Sequence, residues 1–362
     1  MANKPWTAIG LMSGTSMDGV DAAVITTDGE MLLEPGAHLT MPYDRDFRER
    51  LRDLVSGKGD LESVEDELTT YHARAVMVLL RSAGMNAKEI DVIGFHGHTI
   101  LHNPEDGRTW QIGDGAKLAT NTCIGVVYDL RAADVAAGGQ GAPLAPVFHR
   151  ALSSWMPRPL AVLNIGGVAN LTWIGGGDDD LMGFDTGPGN ALLDDWVTRH
   201  TGAPFDRDGM LAAAGQASPV KLAKLMTHPY FKQQPPKSLD RDDFVGFAAE
   251  VLQGQSLQDG AALLTAFTVE SIAEAVNHLP LPPSQWVIVG GGRHNQALMT
   301  RLRTRMDAEI LSADHIGWSG DAVEAQAFGY MAVRSRLGLP ISYPGTTGVP
   351  HAMSGGVFTP KP

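Results

Sequence analysis

A strand, a glycine-bracketed loop and a second strand open this chain, and the same unit returns halfway along it. Residues 7–27, TAIGLMSGTSMDGVDAAVITT, hold two apolar runs, Thr7 to Met12 and Val20 to Thr27. Both runs are short, rich in β-branched and small apolar residues, and nearly without polar alternation, the pattern of strands covered on both faces. Near Ala161 the pattern starts again: Leu160 to Ile165 is apolar, Gly166-Gly167 breaks it, and Val168 to Ile174 resumes it. A chain of 362 residues is long enough for two substantial cores. The repeat therefore predicts two similarly built lobes facing one another.

The loop between the first two runs carries three hydroxyls, Ser13, Thr15 and Ser16, and no Lys or Arg. Gly14 and Gly19 are expected to supply positive φ and close backbone approach, and such a turn aims several N–H groups at one anion. A polyphosphate beside Asp18 and Asp21 would be repelled unless a divalent cation came with it, with either carboxylate as a direct or water-mediated partner. Two other readings stand beside this one. An ordinary hairpin with polar turn residues has the same composition. Gly14-Thr15-Ser16-Met17 also resembles the segment around the subtilisin-type serine, with His96-Gly97-His98 as its histidine segment. Subtilisins run Asp, then His, then Ser, whereas Ser16 precedes both histidines, so chain order opposes that reading.

Composition removes other classes. The formal charge of −13 opposes binding to nucleic acid or an anionic membrane, both of which want a basic face. Cys123 is the only cysteine, so neither an intrachain disulfide nor a cysteine zinc cluster is expected. The first apolar run is only six residues long, too short for a signal-peptide core, and no run approaches the roughly 18 residues that cross a bilayer. A cytoplasmic protein is the expectation.

Asp44 to Gly57 and Asp60 to about Ala83 read as helices, the first capped by Asp44 and stopped by Gly57. Asp91 to Phe95 and Gly125 to Asp129 read as strands, Ala261 to Leu279 and Asp321 to Leu337 as helices, and Gln233 to Lys237 as a surface loop. Strands alternating with helices favour an α/β architecture with a mixed or mostly parallel sheet.

Five further features can carry chemistry. Phe184-Asp185-Thr186-Gly187-Pro188-Gly189-Asn190 is read as a sharp turn before a helix, where Asp185 can be a general base or a helix cap. The apolar run 286–289 enters Gly290-Gly291-Gly292-Arg293-His294-Asn295, where bare backbone can lie against an adenine or ribose and a helix start favours anions; neither this nor any other segment completes a Walker or G-x-G-x-x-G pattern. His96, His98 and His102 have a spacing open to metal binding, but no fourth strong ligand is near, and hydrogen bonding to a polar substrate is the favoured reading. The loop 136–143, AAGGQGAP, suits close approach to a ligand or a flexible connection, with Arg131 upstream as an anion partner. Glu324 sits near a helix start, where carboxylates are commonplace.

Together these segments resemble one family, the anhydro-N-acetylmuramic acid kinases of the actin, hexokinase and Hsp70 superfamily. The similarity is carried in order by GLMSGTSMDGVD from Gly10, the stretch from Gln111 to His149, NIGGVANLTW, FDTGPGNALLDDW, VIVGGGRHN and DAVEAQAFGYMAVR. One departure is His98, where the family resemblance leads one to expect glutamine. The resemblance implies a two-lobed actin-like ATPase fold, ribonuclease H-like in each lobe, with a central cleft. It implies an N-terminal lobe over 1–133, a C-terminal lobe over 134–339 and a tail over 340–362 that can return to the first lobe. ATP and Mg²⁺ are the implied cofactors, with a small sugar as substrate and a second copy of the chain as a candidate partner.

By position, the resemblance makes Gly14, Thr15, Ser16, Met17, Asp18, Gly19, Val20 and Asp21 the first phosphate hairpin, with Asp18 and Asp21 toward the metal. Asn164, Gly166 and Gly167 become the second phosphate element, and Gly290, Gly291, Gly292 and Asn295 the adenosine element. Asp185 becomes the catalytic base, and His98, Thr99, Arg131, Gly139, Gln140 and Glu324 the sugar side, with Arg131 the candidate reader of a lactyl carboxylate. The implied reaction hydrolyses the 1,6-anhydro bridge while ATP phosphorylates O6. An ordinary sugar kinase and a non-catalytic ATP-binding clamp are the alternatives on the same fold.

Overall fold

The computed structural model describes residues 4–14, 16–177 and 180–362. It divides into two compact units, the first made of residues 1–154 and 322–362, the second of residues 155–321. The expected boundaries at 133/134 and 339/340 both fall inside the first unit. The reason is packing: the helix Val323–Leu337 lies against the opening strands and is buried along most of its length.

In the first unit the strands are β1 (Trp6–Met12), β2 (Gly19–Thr27), β3 (Leu32–Pro42), β4 (Val92–Phe95), β5 (His98–Asn103), β6 (Arg108–Ile112) and β7 (Val126–Tyr128). In the second they are β8 (Leu160–Ile165), β9 (Val168–Ile174), β10 (Leu181–Pro188), β11 (Gln285–Val289) and β12 (Glu309–Ser312). A last strand, β13 (Val357–Thr359), pairs antiparallel with β7 and so brings the tail into the first unit.

The first sheet runs β13-β7-β4-β1-β2-β3 and the second β10-β9-β8-β11-β12. In each, three consecutive strands form an antiparallel meander and two later strands add in parallel beside the first of them. Apart from β13 the two sheets thus share one order and one set of directions. The internal repeat expected from residues 160–174 is borne out, and the fold class is the two-lobed, actin-like, ribonuclease H-like α/β class.

Buried residues of β1, β4, β8 and β11 are nearly continuous along each strand, as strands covered on both faces require. Gly10 and Gly94 serve that layering. A Cβ at either would lie within 2.0 Å of a carbonyl oxygen of the helix Val323–Leu337, that of Ala325 or Phe328. Asp44, read from the sequence as a helix cap, accepts from Phe47 N–H, and the structure adds a second such cap in Asp60, which accepts from Glu62 N–H. Among the described residues no helix is long and apolar enough to cross a membrane.

Candidate active site

In the first unit the β1–β2 loop is built from its inside outward. Ser13 is buried, with the Tyr43 hydroxyl donating to its Oγ at 2.8 Å and His98 Nδ1 3.0 Å away on the other side. Its hydroxyl is therefore an anchor, and the exposed hydroxyl is that of Ser16, which donates to Asp18 Oδ1 at 2.7 Å. Thr15 lies outside the described residues. Met17 N–H donates to Gly14 C=O at 3.0 Å and closes the turn.

Positive φ falls on Met17, at 53°, and not on Gly14 or Gly19 as the sequence suggested. Gly19 is needed for a different reason: a Cβ there would sit 2.3 Å from Met41 C=O on β3. Val20 is fully buried, so only its backbone can face a ligand. Asp21 pairs in register with Met12 and Thr40, and accepts the Thr40 hydroxyl at 2.5 Å.

Beside the hairpin, Arg131 is held on two sides. Its Nε and Nη2 point at His96 Nε2, at 3.2 and 3.1 Å, and its Nη1 donates to Gly141 C=O at 2.7 Å. His96 Nδ1 faces Gly97 C=O, so its ring is neutral with Nε2 as acceptor; burial, then the Arg131 charge, hold its pKa well below the usual histidine value.

Asp134, buried at the next turn, accepts from Gly141 N–H at 2.6 Å and from the Thr347 hydroxyl, while Gln140 N–H donates to Thr347 C=O at 2.6 Å. A Cβ on Gly139 would strike Asp134 Oδ1 at 2.2 Å. The glycine-rich loop is thus tied to a buried carboxylate and is not a loose connection.

Glu324 is solvent-exposed at its helix start. Desolvation by the protein crowding round it and then the Asp21 charge push its carboxyl up, with Arg131 opposing them. Asp21, Arg131 and Glu324 therefore belong to one electrostatic patch. Thr99 stands across from Gln111 on the β5–β6 hairpin, and Gln111 Nε2 donates to its hydroxyl at 3.3 Å.

His98 does not join that patch. It is 1% exposed, turned to Ser13, and burial pulls its pKa down to about 4. His102 faces Thr109 Oγ1 at 3.0 Å. Among the described residues no three His, Cys, Asp or Glu side chains gather as a metal cage, so the histidine triplet is no such site there.

In the second unit, strand register assembles the polar row. Asp185 on β10 pairs with Asn170 on β9, Asn170 with Asn164 on β8, and Asn164 with Val289 on β11, the residue before Gly290. Residues opposite one another in a sheet share a face, so Asp185, Asn170 and Asn164 form one half-buried polar line at one end of the sheet.

Asp185 is inside a strand, not at a sharp turn before a helix. A register shift follows it between Asp185 and Gly187, the kind of bulge that re-aims a side chain. Pro188 is tolerated because β10 is at the sheet edge. The carboxylate is fixed by Leu239 N–H, which donates to Oδ2 at 2.8 Å, and the Asp185 N–H donates to Lys237 C=O at 3.0 Å.

The Gly166-Gly167 turn is fixed by the next helix, Ala191–Thr201. Gly166 C=O accepts from Asn190 N–H at 2.8 Å, and Gly167 C=O accepts from Gly189 and Ala191 N–H at 2.9 and 3.1 Å. Gly290 has φ 77° and ψ 173°, and a Cβ there would lie 2.2 Å from Asn164 Oδ1. Gly292 is pressed on Ile165, while Gly291 has open space around it. Asn295 caps the helix Gln296–Arg305 by accepting from Leu298 N–H.

Buried Arg293 holds the triplet in place. It donates to Gly290 C=O at 2.9 Å and pairs with Asp314 and Asp321, both at 2.8 Å. Sequence reasoning passed over Asn170, Lys237, Tyr230 and Arg293. Only Asn170 carried a signal, as a polar residue at the inner end of an apolar strand.

A sequence model of the family described as anhydro-N-acetylmuramic acid kinase matches residues 6–361. A relative of that name from Paramagnetospirillum magneticum is 52% identical over 349 residues, covering 96% of this chain and 98% of its own. Another, from Acidiphilium cryptum, is 52% identical over 363 residues, covering 98% and 99%. A third, from Rhizorhabdus wittichii, is 50% identical over 359 residues, covering 97% and 98%. This chain belongs to the anhydro-N-acetylmuramic acid kinase family.

Proposed function

We propose that this protein is an ATP-dependent kinase that opens 1,6-anhydro-N-acetylmuramic acid with water and phosphorylates O6, giving N-acetylmuramic acid 6-phosphate and ADP. The observation that carries the reading is the fixed, half-buried Asp185 in register with Asn170 and Asn164, in a chain of this family. Recycling of cell-wall sugars in the cytoplasm is the setting that fits, with a homodimer as the candidate assembly.

The chemistry balances with one base. Asp185 takes a proton from water as its oxygen attacks C1 from the face opposite the bridge, as the base of an inverting glycosidase does. The C1–O6 bond breaks, O6 bonds the γ-phosphorus, and the bond from that phosphorus to ADP breaks. The leaving oxygen needs no acid because the phosphoryl group captures it, and catalysis of that transfer is mostly positioning and charge stabilisation. Leu239 N–H supports the base in its ionised form, since a hydrogen bond to a carboxylate favours the anion.

In this reading the Gly14–Asp21 hairpin and the Asn164, Gly166 and Gly167 turn serve the phosphates, and Gly290 to Gly292 with Asn295 the adenosine. Arg131, Thr99, Gly139, Gln140 and Glu324 serve the sugar, while His98 supports the hairpin from behind. Mg²⁺ suits a donor set of few carboxylates and no cage, because it keeps waters and takes phosphate oxygens. Asp18 and Asp21 would hold it, and when bound it would neutralise charge on the phosphoryl oxygens.

The test is turnover of the anhydro sugar with ATP in ¹⁸O water, followed over time to separate later anomeric exchange. Label at C1 from the first turnover is expected. Phosphorylation of a reducing sugar without label would make this an ordinary sugar kinase, and absence of any phosphosugar would make it a non-catalytic clamp.

A further inference from the structure

The loop Gln233 to Lys237 does not stay at the surface. Its last side chain turns inward until Lys237 is 7% exposed. The ammonium lies 4.6 Å from the centre of the Tyr230 ring and 5.9 Å from that of Phe184, and donates to Tyr230 C=O at 3.3 Å. None of the ion pairs among the described residues includes it. A buried charge without an ion-pair partner is costly, and aromatic faces return only part of that cost.

Four elements bring a titratable or charged neighbour to it. Asp185 faces it from β10, Glu274 from the helix Leu257–Ala275, His278 from the turn after that helix, and Tyr230 from the turn Pro229–Lys232. Burial pulls the Lys237 pKa down to about 8, while Glu274 and then Asp185 act to raise it. Coupling of this kind is reciprocal, so the ammonium favours the anionic form of Asp185 in return.

The same segment grips Asp185 mechanically. Lys237 C=O accepts from Asp185 N–H, Leu239 N–H donates to Asp185 Oδ2, and the Tyr230 hydroxyl donates to Asp185 C=O. A charge carried by that clip keeps a fixed offset from the carboxylate. A contact ion pair would weaken the base, whereas an ammonium seated on aromatic rings supplies field without donating a hydrogen bond to the carboxylate.

We propose that Lys237 is a positioning residue for Asp185, its buried ammonium holding the carboxylate ionised and in place for proton abstraction. The inference rests on Asp185 as the base, and the test separates the two. Lys237→Met and Lys237→Arg are compared with the parent protein over about pH 5 to about pH 10, reading kcat/KM for the sugar and KM for ATP. In Lys237→Met the acid limb of kcat/KM moves up by roughly half a pH unit or more, with KM for ATP within about twofold. Lys237→Arg keeps the parent limb.

A purely structural lysine would lower the amplitude and the melting temperature without moving the limb, and that result overturns the inference. If Lys237→Met does not fold, Lys237→Gln carries the same readout. Asp185→Asn is measured alongside and is expected to bind ATP while losing orders of magnitude in turnover. Turnover retained there removes the base assignment itself, whereas an inactive Asp185→Asn with an unmoved limb in Lys237→Met removes the role of Lys237 alone.

Discussion

Two neighbouring glycines of the proposed adenosine element are expected to respond oppositely to the same methyl group. At Gly290, alanine meets Asn164 Oδ1 at 2.2 Å and Ile165 C=O at 2.9 Å, and it must adopt φ 77°, ψ 173°. That backbone region is almost exclusive to glycine and costs about 1–3 kcal/mol. Overpacking adds about 1–3 kcal/mol more. The sum, about 2–6 kcal/mol, lowers the melting temperature of a unit this size by roughly 5 to 20 °C. At Gly291 no atom lies within 4 Å of the added Cβ, so Gly291→Ala should stay within about 0.5 kcal/mol of the parent.

Binding should sort differently from stability. If adenosine lies on bare backbone at Gly291, the methyl that leaves the melting curve unchanged should weaken ATP binding, by tenfold for each 1.4 kcal/mol or so of lost contact. Calorimetric melting without ligand and titration with ATP read the two effects separately. Equal melting losses in Gly290→Ala and Gly291→Ala would refute the steric argument, and unchanged ATP affinity in Gly291→Ala would refute the placement of adenosine.

Chelation should abolish turnover and added Mg²⁺ restore it, since the Asp18–Asp21 hairpin brings no cation of its own to a polyphosphate; full activity in chelator would sink the metal assignment. Acid should loosen the first unit by proton uptake. Buried His72 and His98 have folded pKa values of about 4 against 6.5 for the free side chain, so the unfolded chain binds more protons between those limits. Their contribution, about 3 kcal/mol each, is whole above about pH 6.5 and is lost as pH falls toward 4. Denaturation from pH 7 to pH 4.5 should therefore be less pH-dependent in His98→Gln, and an unchanged slope would contradict it.

Much of this molecule was legible because its signals are local. The apolar runs of β1, β2, β8 and β9, the glycine breaks between them and the capping Asp44 each act within a few residues, and the repeat formed by the strand pairs carried the fold. What escaped depends on distance. β3 was unread because Pro35, Gly36 and His38 interrupt it, and it pairs with β2 only through two register shifts. Asp185 read as a turn because Gly187, Pro188 and Gly189 follow it, yet an edge strand accommodates them. Ser13 read as one more loop hydroxyl because nothing local reveals Tyr43 and His98 closing on it from 30 and 85 positions away. Lys237 read as exposed because its prolines and glutamines describe a loop, whereas the aromatic faces that receive it come from Tyr230 and Phe184.

β10 ends the second sheet, and its outer backbone groups would by default offer a template to any passing extended chain. The segment that grips Asp185 removes part of that template, because Lys237 C=O occupies the outward Asp185 N–H, and Pro188 has no N–H to offer. The residues that hold Asp185, the proposed base, therefore also guard the sheet against edge-to-edge aggregation. Loosening them to gain catalytic latitude would expose a sticky strand, a constraint on how far this loop can vary that has nothing to do with the sugar.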